Sequence, residues 1–139
     1  MPGSPPKHDV VMLAIDTNLI VRYLVDDHPA QAAAARTLID GEAVFVATTV
    51  LLETEWVLRS VYGFSNTACA AAISRFAGLP TVTLEDPTRT ASALAGVLEG
   101  LDFADALHLS AAAGCEAFVT FDQRLIKAAA ARAPMVRAP

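Results

Sequence analysis

The chain has 139 residues, of which 54% are apolar and 18% are charged. This balance excludes an intrinsically disordered protein, because such chains combine low hydrophobicity with high charge. Fifteen acidic residues against ten basic ones give a formal net charge of -5, which argues against a protein that binds nucleic acid through an overall positive charge. We predict one folded domain over residues 10–139, preceded by a flexible polar lead over residues 1–9, with Met12 as an alternative start of the natural chain.

The sequence favours neither a membrane protein nor a secreted protein. The mean hydropathy of +0.44 is high, but the longest strongly apolar run, residues 10–15, is far shorter than a membrane-spanning helix. No secretory signal is visible at the start of the sequence, so we expect a cytoplasmic protein. Cys69 and Cys115 support neither a disulfide framework nor a cysteine zinc site, and we expect both to be small buried residues.

Strands and helices alternate along the sequence. Apolar runs predict strands at residues 10–15, 43–47, 81–84, within 116–121 and at 135–136. Helical segments, their capping residues and glycine stops predict helices at residues 18–25, 29–39, from 48 or 49 to 62, 66–78, 87–100, 103–113 and 123–132. This alternation predicts a parallel α/β sheet with helices on both faces. Ligands of such sheets bind beyond the carboxyl ends of the strands.

Two aspartates directly follow predicted strands. Asp16 follows the first strand in AIDTN, and Asp122 follows the fourth in TFD. Each carboxylate should project at the carboxyl edge of the sheet, although an aspartate in this position also serves as a helix N-cap.

Two glutamates lie inside the predicted helix that runs to Tyr62, and we expect them to lie in different environments. Glu53 shares a predicted helical face with Val50 and Trp56, so we expect it to lie on an apolar stripe, where a carboxylate is costly to bury. Glu55 is expected to point the other way, in a solvent-facing pair with Arg59.

Asp105 lies inside a predicted helix that Asp102 caps. Aspartate is a poor residue for a helix interior, so its carboxylate is the better reason for its presence. His108 follows one turn later, either as a ligand or proton shuttle or as a partly buried structural histidine.

The predicted topology brings Asp16, Glu53, Asp105 and Asp122 together. Two carboxylates about 4 Å apart repel by about 4 kcal/mol at an effective dielectric constant of 20, so such a cluster needs protons or a cation. Oxygen ligands suit Mg²⁺ or Mn²⁺. A cation here would polarise a phosphate oxygen and activate a water molecule, which predicts phosphodiester hydrolysis. Four basic residues either surround the cleft as RNA contacts or form a solvated surface: Arg22, Arg59, Arg124 and Lys127.

The chain resembles the PIN-domain ribonucleases, specifically the VapC toxins of VapBC type II toxin–antitoxin systems. The resemblance rests on four motifs in the family's order: AIDTN (14–18), LLETEWVLRSVYG (51–63), GLDFADALHLSAA (100–112) and FVTFDQRL (118–125). It implies a three-layer α/β/α sandwich with a central parallel five-stranded sheet, and a homodimer that can enter a larger toxin–antitoxin assembly. Glu55 departs from the pattern, because that position is often apolar in the family.

The resemblance also implies an activity and a site. It implies an Mg²⁺- or Mn²⁺-dependent endoribonuclease that cuts structured RNA, tRNA or ribosomal RNA, leaves a 5′-phosphate and a 3′-hydroxyl, and is inhibited by a cognate VapB antitoxin. Asp16, Glu53, Asp105 and Asp122 match the family's four catalytic and metal-binding acids. Asn18 and Thr120 match supporting polar positions, and Asp102 matches an auxiliary acid.

Two alternatives come from other classes of protein. A non-catalytic binding module would use the acid pocket to receive basic residues of a partner, since an arginine and a metal ion relieve the same repulsion. A phosphoacceptor receiver domain also gathers acids and binds Mg²⁺, but it needs an adjacent acidic pair after its first strand, where this chain has AIDTN.

Overall fold

The computed structural model describes residues 11–139. In chain order, the elements are β1 (Leu13–Ala14), α1 (Thr17–Leu24), α2 (Pro29–Gly41), β2 (Val44–Val46), α3 (Thr48–Ser60), α4 (Asn66–Ala77), β3 (Val82–Leu84), α5 (Pro87–Leu98), α6 (Phe103–Ala111), β4 (Ala117–Val119), α7 (Gln123–Ala128) and β5 (Met135–Arg137). Each predicted strand and helix is present, although most of the ends differ. The expected lead, residues 1–9, and Val10 of the first predicted strand lie outside the described residues.

The five strands form two parallel sheets. β1, β2 and β3 pair in that order, and β4 pairs with β5. The parallel pairing is as expected, and within residues 11–139 the strands pair as three and two. β1 is only two residues long, and the N–H groups of Leu13 and Ile15 both donate toward the β2 side, to Ala43 and Phe45. The outer edge of β1 makes no ladder with β4 in this part of the chain.

The core surrounds β2. Val44 and Val46 on this central strand are fully buried, as expected for a parallel strand with a neighbour on each side. The helices contribute the larger side chains of the same cluster: Ile20, Ile39, Leu51, Ile73, Phe76, Val97 and Phe103. The α/β class predicted from the sequence is confirmed.

Short polar side chains begin most of the helices. Asp16, Ser65, Asp86, Asp102 and Asp122 each accept a hydrogen bond from a backbone N–H in the first turn of the helix that follows. An N-cap of this kind satisfies a donor that the helix cannot. Three of these N-caps, Asp16, Asp102 and Asp122, are also predicted site or supporting residues. The capping hydrogen bonds therefore hold their carboxylates at the starts of the helices.

α5 and α6 approach closely at Gly96. A Cβ atom on Gly96 would lie 3.2 Å from the Cβ of Ala106 and 3.2 Å from Cδ1 of Leu101. The chain turns between the two helices at Gly100, whose φ of 101° lies in the left-handed region that glycine adopts without strain. These two glycines set the position of α6.

Within residues 11–139, no helix is both long and apolar enough to cross a lipid bilayer.

The two cysteines lie in different environments, and neither is in a disulfide. Cys69 is fully buried, as expected, whereas Cys115 is exposed, which corrects the expectation for that residue. Burial, followed by the nearby Glu55 carboxylate, raises the pKa of the Cys69 thiol to about 11.

We expect the native protein to expose one reactive thiol. The reactive species is the thiolate, so at about pH 8 Cys69 stays protonated and only Cys115 reacts quickly. Titration with a chromogenic disulfide reagent should count one thiol in the native protein and both in denaturant. Rapid reaction of both thiols in the native state would contradict the burial of Cys69.

Candidate active site

The buried face of α3 differs from the predicted one. Leu51, Thr54, Glu55 and Leu58 are buried, whereas Glu53 is exposed. Both sets of residues have helical spacing, but the structure buries the stripe that contains the two leucines at its ends. The expectations for Glu53 and Glu55 were therefore wrong in burial: their environments are exchanged.

Glu55 forms a buried ion pair with Arg59. Nε of Arg59 lies 3.0 Å from Oε2 of Glu55, and Nη2 donates to Oε1 at 3.3 Å. The hydrogen bonds to Glu55 raise the pKa of the Arg59 guanidinium above its ordinary value, although burial opposes the shift. Glu55 is only 3% exposed. This two-point contact satisfies a carboxylate that would otherwise be unpaired inside the protein.

Glu53 is held at the edge of the first sheet. Oγ1 of Thr17 donates a hydrogen bond to Oε1 of Glu53, with 2.5 Å between the two oxygens. Thr17 is buried and directly follows Asp16, the N-cap of α1. Asp16 and Glu53 are therefore brought to the same region through Thr17. Thr17 was not predicted from the sequence; its signal was a hydroxyl in the first helical turn, next to a predicted site acid.

A second group of acids lies around Asp105. Asp102, Asp105 and Asp122 line a cavity of about 360 Å³, together with Arg124. Burial raises the pKa of the Asp105 carboxyl, the carboxylates of Asp102 and Asp122 raise it further, and His108 lowers it. Asp105 thus lies in a half-buried position where its charge is unfavourable without a cation.

Most of the predicted supporting residues lie close to these acids. The backbone N–H of Asp122 donates to Oγ1 of Thr120 at 3.0 Å, which holds the turn before α7. Oδ1 of Asp122 accepts from the N–H groups of Arg124 and Leu125, so one carboxylate oxygen carries the cap. Asn18 lies exposed in the first turn of α1, and its supporting role stays a prediction.

The four acids do not form one compact ligand set. Within residues 11–139, no group of three or more His, Cys, Asp or Glu side chains is placed to hold a metal ion. Thr17, next to Asp16, binds Glu53, whereas Asp105 and Asp122 share a cavity. The convergence of all four acids in one site stays a prediction.

The residues nevertheless fit a hard divalent cation in their chemistry. Each group offers carboxylate oxygens, and Mg²⁺ uses only one or two direct carboxylates while keeping several waters. Burial raises the pKa of Asp105, and two neighbouring carboxylates repel its charge and raise the pKa further. A cation at this point would relieve that repulsion.

Two of the four basic residues bind other side chains of the protein, and the other two are exposed. Arg22 contacts Gln31, Asp27 and the hydroxyl of Tyr62, so it does not stand free at a cleft mouth. Arg59 is paired with Glu55, as described above. The side chains of Arg124 and Lys127, on α7, are exposed.

His108 is exposed, and its ring stacks on Phe118. The ring centroids lie 6.5 Å apart, with an angle of 12° between the planes. The expectation of a partly buried histidine is corrected. Its effect on Asp105 is electrostatic, because it lowers the pKa of that carboxyl.

A larger cavity runs between α3 and α6. It has a volume of about 580 Å³, and Glu53, Trp56 and Arg59 line it from α3. Ala104, the residue before Asp105, lines it from α6. We call this space the α3–α6 cavity. It extends from the first group of acids to the helix that carries the second.

No curated protein matches the chain. A family model described as PIN domain matches residues 13–131, which include every acid of both groups. PIN domains are generally nucleases, and they typically use divalent metal ions. Because the match extends over most of the sequence, the chain belongs to the PIN domain family.

Proposed function

We propose that this protein is an Mg²⁺- or Mn²⁺-dependent endoribonuclease of the VapC toxin type. The observation that carries the proposal is the half-buried Asp105, which shares one cavity with Asp102 and Asp122 in a chain of the PIN family. A carboxylate whose pKa is raised by burial and by two neighbouring carboxylates in a cavity is typical of a functional site.

Asp16, Glu53, Asp105 and Asp122 would hold the cation. When bound, it would polarise a phosphate oxygen and lower the pKa of a water molecule. The capping hydrogen bonds fix one oxygen of Asp16 and one of Asp122, and Thr17 fixes Oε1 of Glu53. These contacts orient the acids before substrate binds, which reduces the reorganisation needed during the reaction.

We also propose the five-stranded sheet and three-layer sandwich of the family for this protein. Such a sheet requires β1 and β4, which lie in separate sheets within residues 11–139, to become neighbours. Asp16 follows β1 and Asp122 follows β4, so their pairing would place the two acids side by side. The homodimer, and a larger assembly with antitoxin, belong to the same proposal.

The acids also support inhibition by a VapB-type antitoxin. An uncompensated cluster of carboxylates attracts a basic side chain as well as a metal ion. An antitoxin arginine that enters the cluster would displace the cation and block hydrolysis. We propose structured RNA, tRNA or ribosomal RNA as the substrate and the cytoplasm as the location.

The test is cleavage of a total-RNA pool by protein freed of antitoxin. We expect discrete cuts with Mg²⁺ or Mn²⁺, 5′-phosphate and 3′-hydroxyl ends at each cut, and no cuts with chelator. Protein with Asp105→Asn, purified in the same way, controls for contaminating nucleases. Cleavage that persists with chelator, or equal cleavage by the variant, would contradict the proposal.

A second candidate is favoured by the absence, among the described residues, of three or more side chains placed to hold a metal ion. A non-catalytic module needs no compact ligand set, because its pocket only has to attract basic residues of a partner. It predicts tight binding of a basic peptide and no cuts with either metal. A phosphoacceptor receiver domain does not fit a chain that belongs to the PIN family.

A further inference from the structure

Trp56 is the single tryptophan of the chain, and its side chain is largely exposed on α3. It is 55% exposed, although an indole ring normally contributes to a core or an interface. Among the described residues, the close aromatic pairs are Tyr23 with Phe76 and His108 with Phe118. The ring of Trp56 is therefore not paired with another aromatic ring in this part of the chain.

The position of Trp56 places this ring beside the proposed site. Trp56 lies three residues after Glu53, so both side chains lie on the same side of α3. They line the α3–α6 cavity together, and Ala104 on the opposite wall directly precedes Asp105. A cavity of about 580 Å³ lies within the roughly 300–1,000 Å³ that small-molecule sites occupy.

The cavity beside Trp56 is lined by one cation and two carboxylates, because Glu53 and Glu55 line it as well as Arg59. Arg59 lines the same cavity, and its Nε and Nη2 are used by Glu55. Within residues 11–139, its Nη1 makes no hydrogen bond, so one edge of the guanidinium can face a phosphate. Val50 and Leu52 add apolar walls. A flat aromatic ring beside an apolar wall is the part of a single-stranded nucleic-acid site on which a base stacks.

We propose that Trp56 is a stacking residue that receives one unpaired RNA base next to the phosphate that is cut. This inference rests on the proposed function, and it assigns a substrate-positioning role to Trp56. Stacking on an indole ring depends little on the identity of the base, because every base has a π-face. Recognition at this position therefore depends on the absence of base pairing.

The single tryptophan makes binding directly measurable. With chelator present to prevent cleavage, a short single-stranded RNA of mixed sequence should quench the protein fluorescence in a saturable way. The same RNA annealed to its complement should quench much less, since its bases are stacked inside the duplex. This readout requires no catalysis.

Two variants separate stacking from bulk apolar contact. Trp56→Leu should weaken binding of labelled single-stranded RNA by about tenfold, while Trp56→Phe keeps an aromatic face and stays within about threefold. Val61→Ala is the matched control, because Val61 is an exposed apolar residue directly after the same helix. Circular dichroism verifies that each variant is folded.

Each outcome decides one of the proposals. Unchanged RNA binding by Trp56→Leu, or no quenching by single-stranded RNA, overturns stacking even when metal-dependent cleavage is present. Quenching without cleavage overturns the nuclease proposal and leaves stacking in place. Loss of antitoxin binding with unchanged RNA binding would assign Trp56 to a protein partner and overturn the inference.

Discussion

Asp105→Asn should abolish RNA cleavage while making the metal-free protein more stable. Activity should fall by about 1,000-fold, the scale of a single charge-stabilising group in an active site. Burial and the carboxylates of Asp102 and Asp122 raise the pKa of Asp105 in the folded state. For an acid, a raised folded-state pKa means that ionisation opposes folding, so stability is lost as pH rises from the unfolded pKa through the folded one. Near neutral pH, the neutral asparagine removes that cost.

The measurement is the midpoint of thermal unfolding with chelator and with Mn²⁺. We expect Asp105→Asn to raise the midpoint with chelator and to reduce the stabilisation by Mn²⁺, because a ligand stabilises only the state that binds it. Asp26→Asn is the matched control: Asp26 is exposed and only 3.8 Å from Arg36 in a surface pair. An active Asp105→Asn protein, or one with a lower midpoint in chelator, would contradict the role assigned to Asp105.

Arg59→Ala should strongly destabilise the fold. It would leave the Glu55 carboxylate, which is only 3% exposed, without its ion partner. Removal of one member of a buried ion pair costs about 3–5 kcal/mol, and we expect about 3 kcal/mol because the Arg59 side chain is partly exposed. Urea unfolding followed by circular dichroism measures the free energy of unfolding.

The double variant Glu55→Met with Arg59→Met tests the cause. If the cost comes from an unpaired buried charge, two apolar residues of similar length should restore most of the stability. Arg36→Ala breaks an exposed pair and should cost less than about 1 kcal/mol. Equal losses for Arg59→Ala and Arg36→Ala would show that Glu55 is not paired inside the protein.

The order of elements could be predicted because short-range signals determine it. Asp86 followed by Pro87 begins α5, Ser65 begins α4 and Asp122 begins α7, each through a hydrogen bond within its own first turn. α3 shows the limit of local signals, because Thr48 and Thr49 are plausible caps but Ala47 occupies that position without a side-chain bond. The end of a helix that lacks a strong cap depends on packing.

The orientation of α3 could not be predicted from spacing alone. The stripe of Val50, Glu53 and Trp56 and the stripe of Leu51, Glu55 and Leu58 both fit a helical period. What decides between them is tertiary: Arg59 satisfies Glu55, so the core tolerates its carboxylate. The spacing of apolar residues along the sequence does not show that Arg59 pairs with Glu55.

The residues of the candidate site were easier to predict from the sequence than their positions relative to one another. Asp105 and Asp122 share a cavity, as expected from helices and strands in alternation. The meeting of that pair with Asp16 and Glu53 depends on contacts between β1 and β4, which are distant in sequence and short. Long-range pairing of two short strands leaves little local signal.

The position of Asp105 depends on Gly96, although Gly96 is not part of the candidate site. The missing side chain lets α6 lie against α5 at Ala106, the immediate neighbour of Asp105. Even a single methyl group at position 96 must push that helix away by a few tenths of an ångström, carrying the carboxylate with it. Natural variation at this glycine would thus shift the Asp105 carboxylate while every acid remains in the sequence.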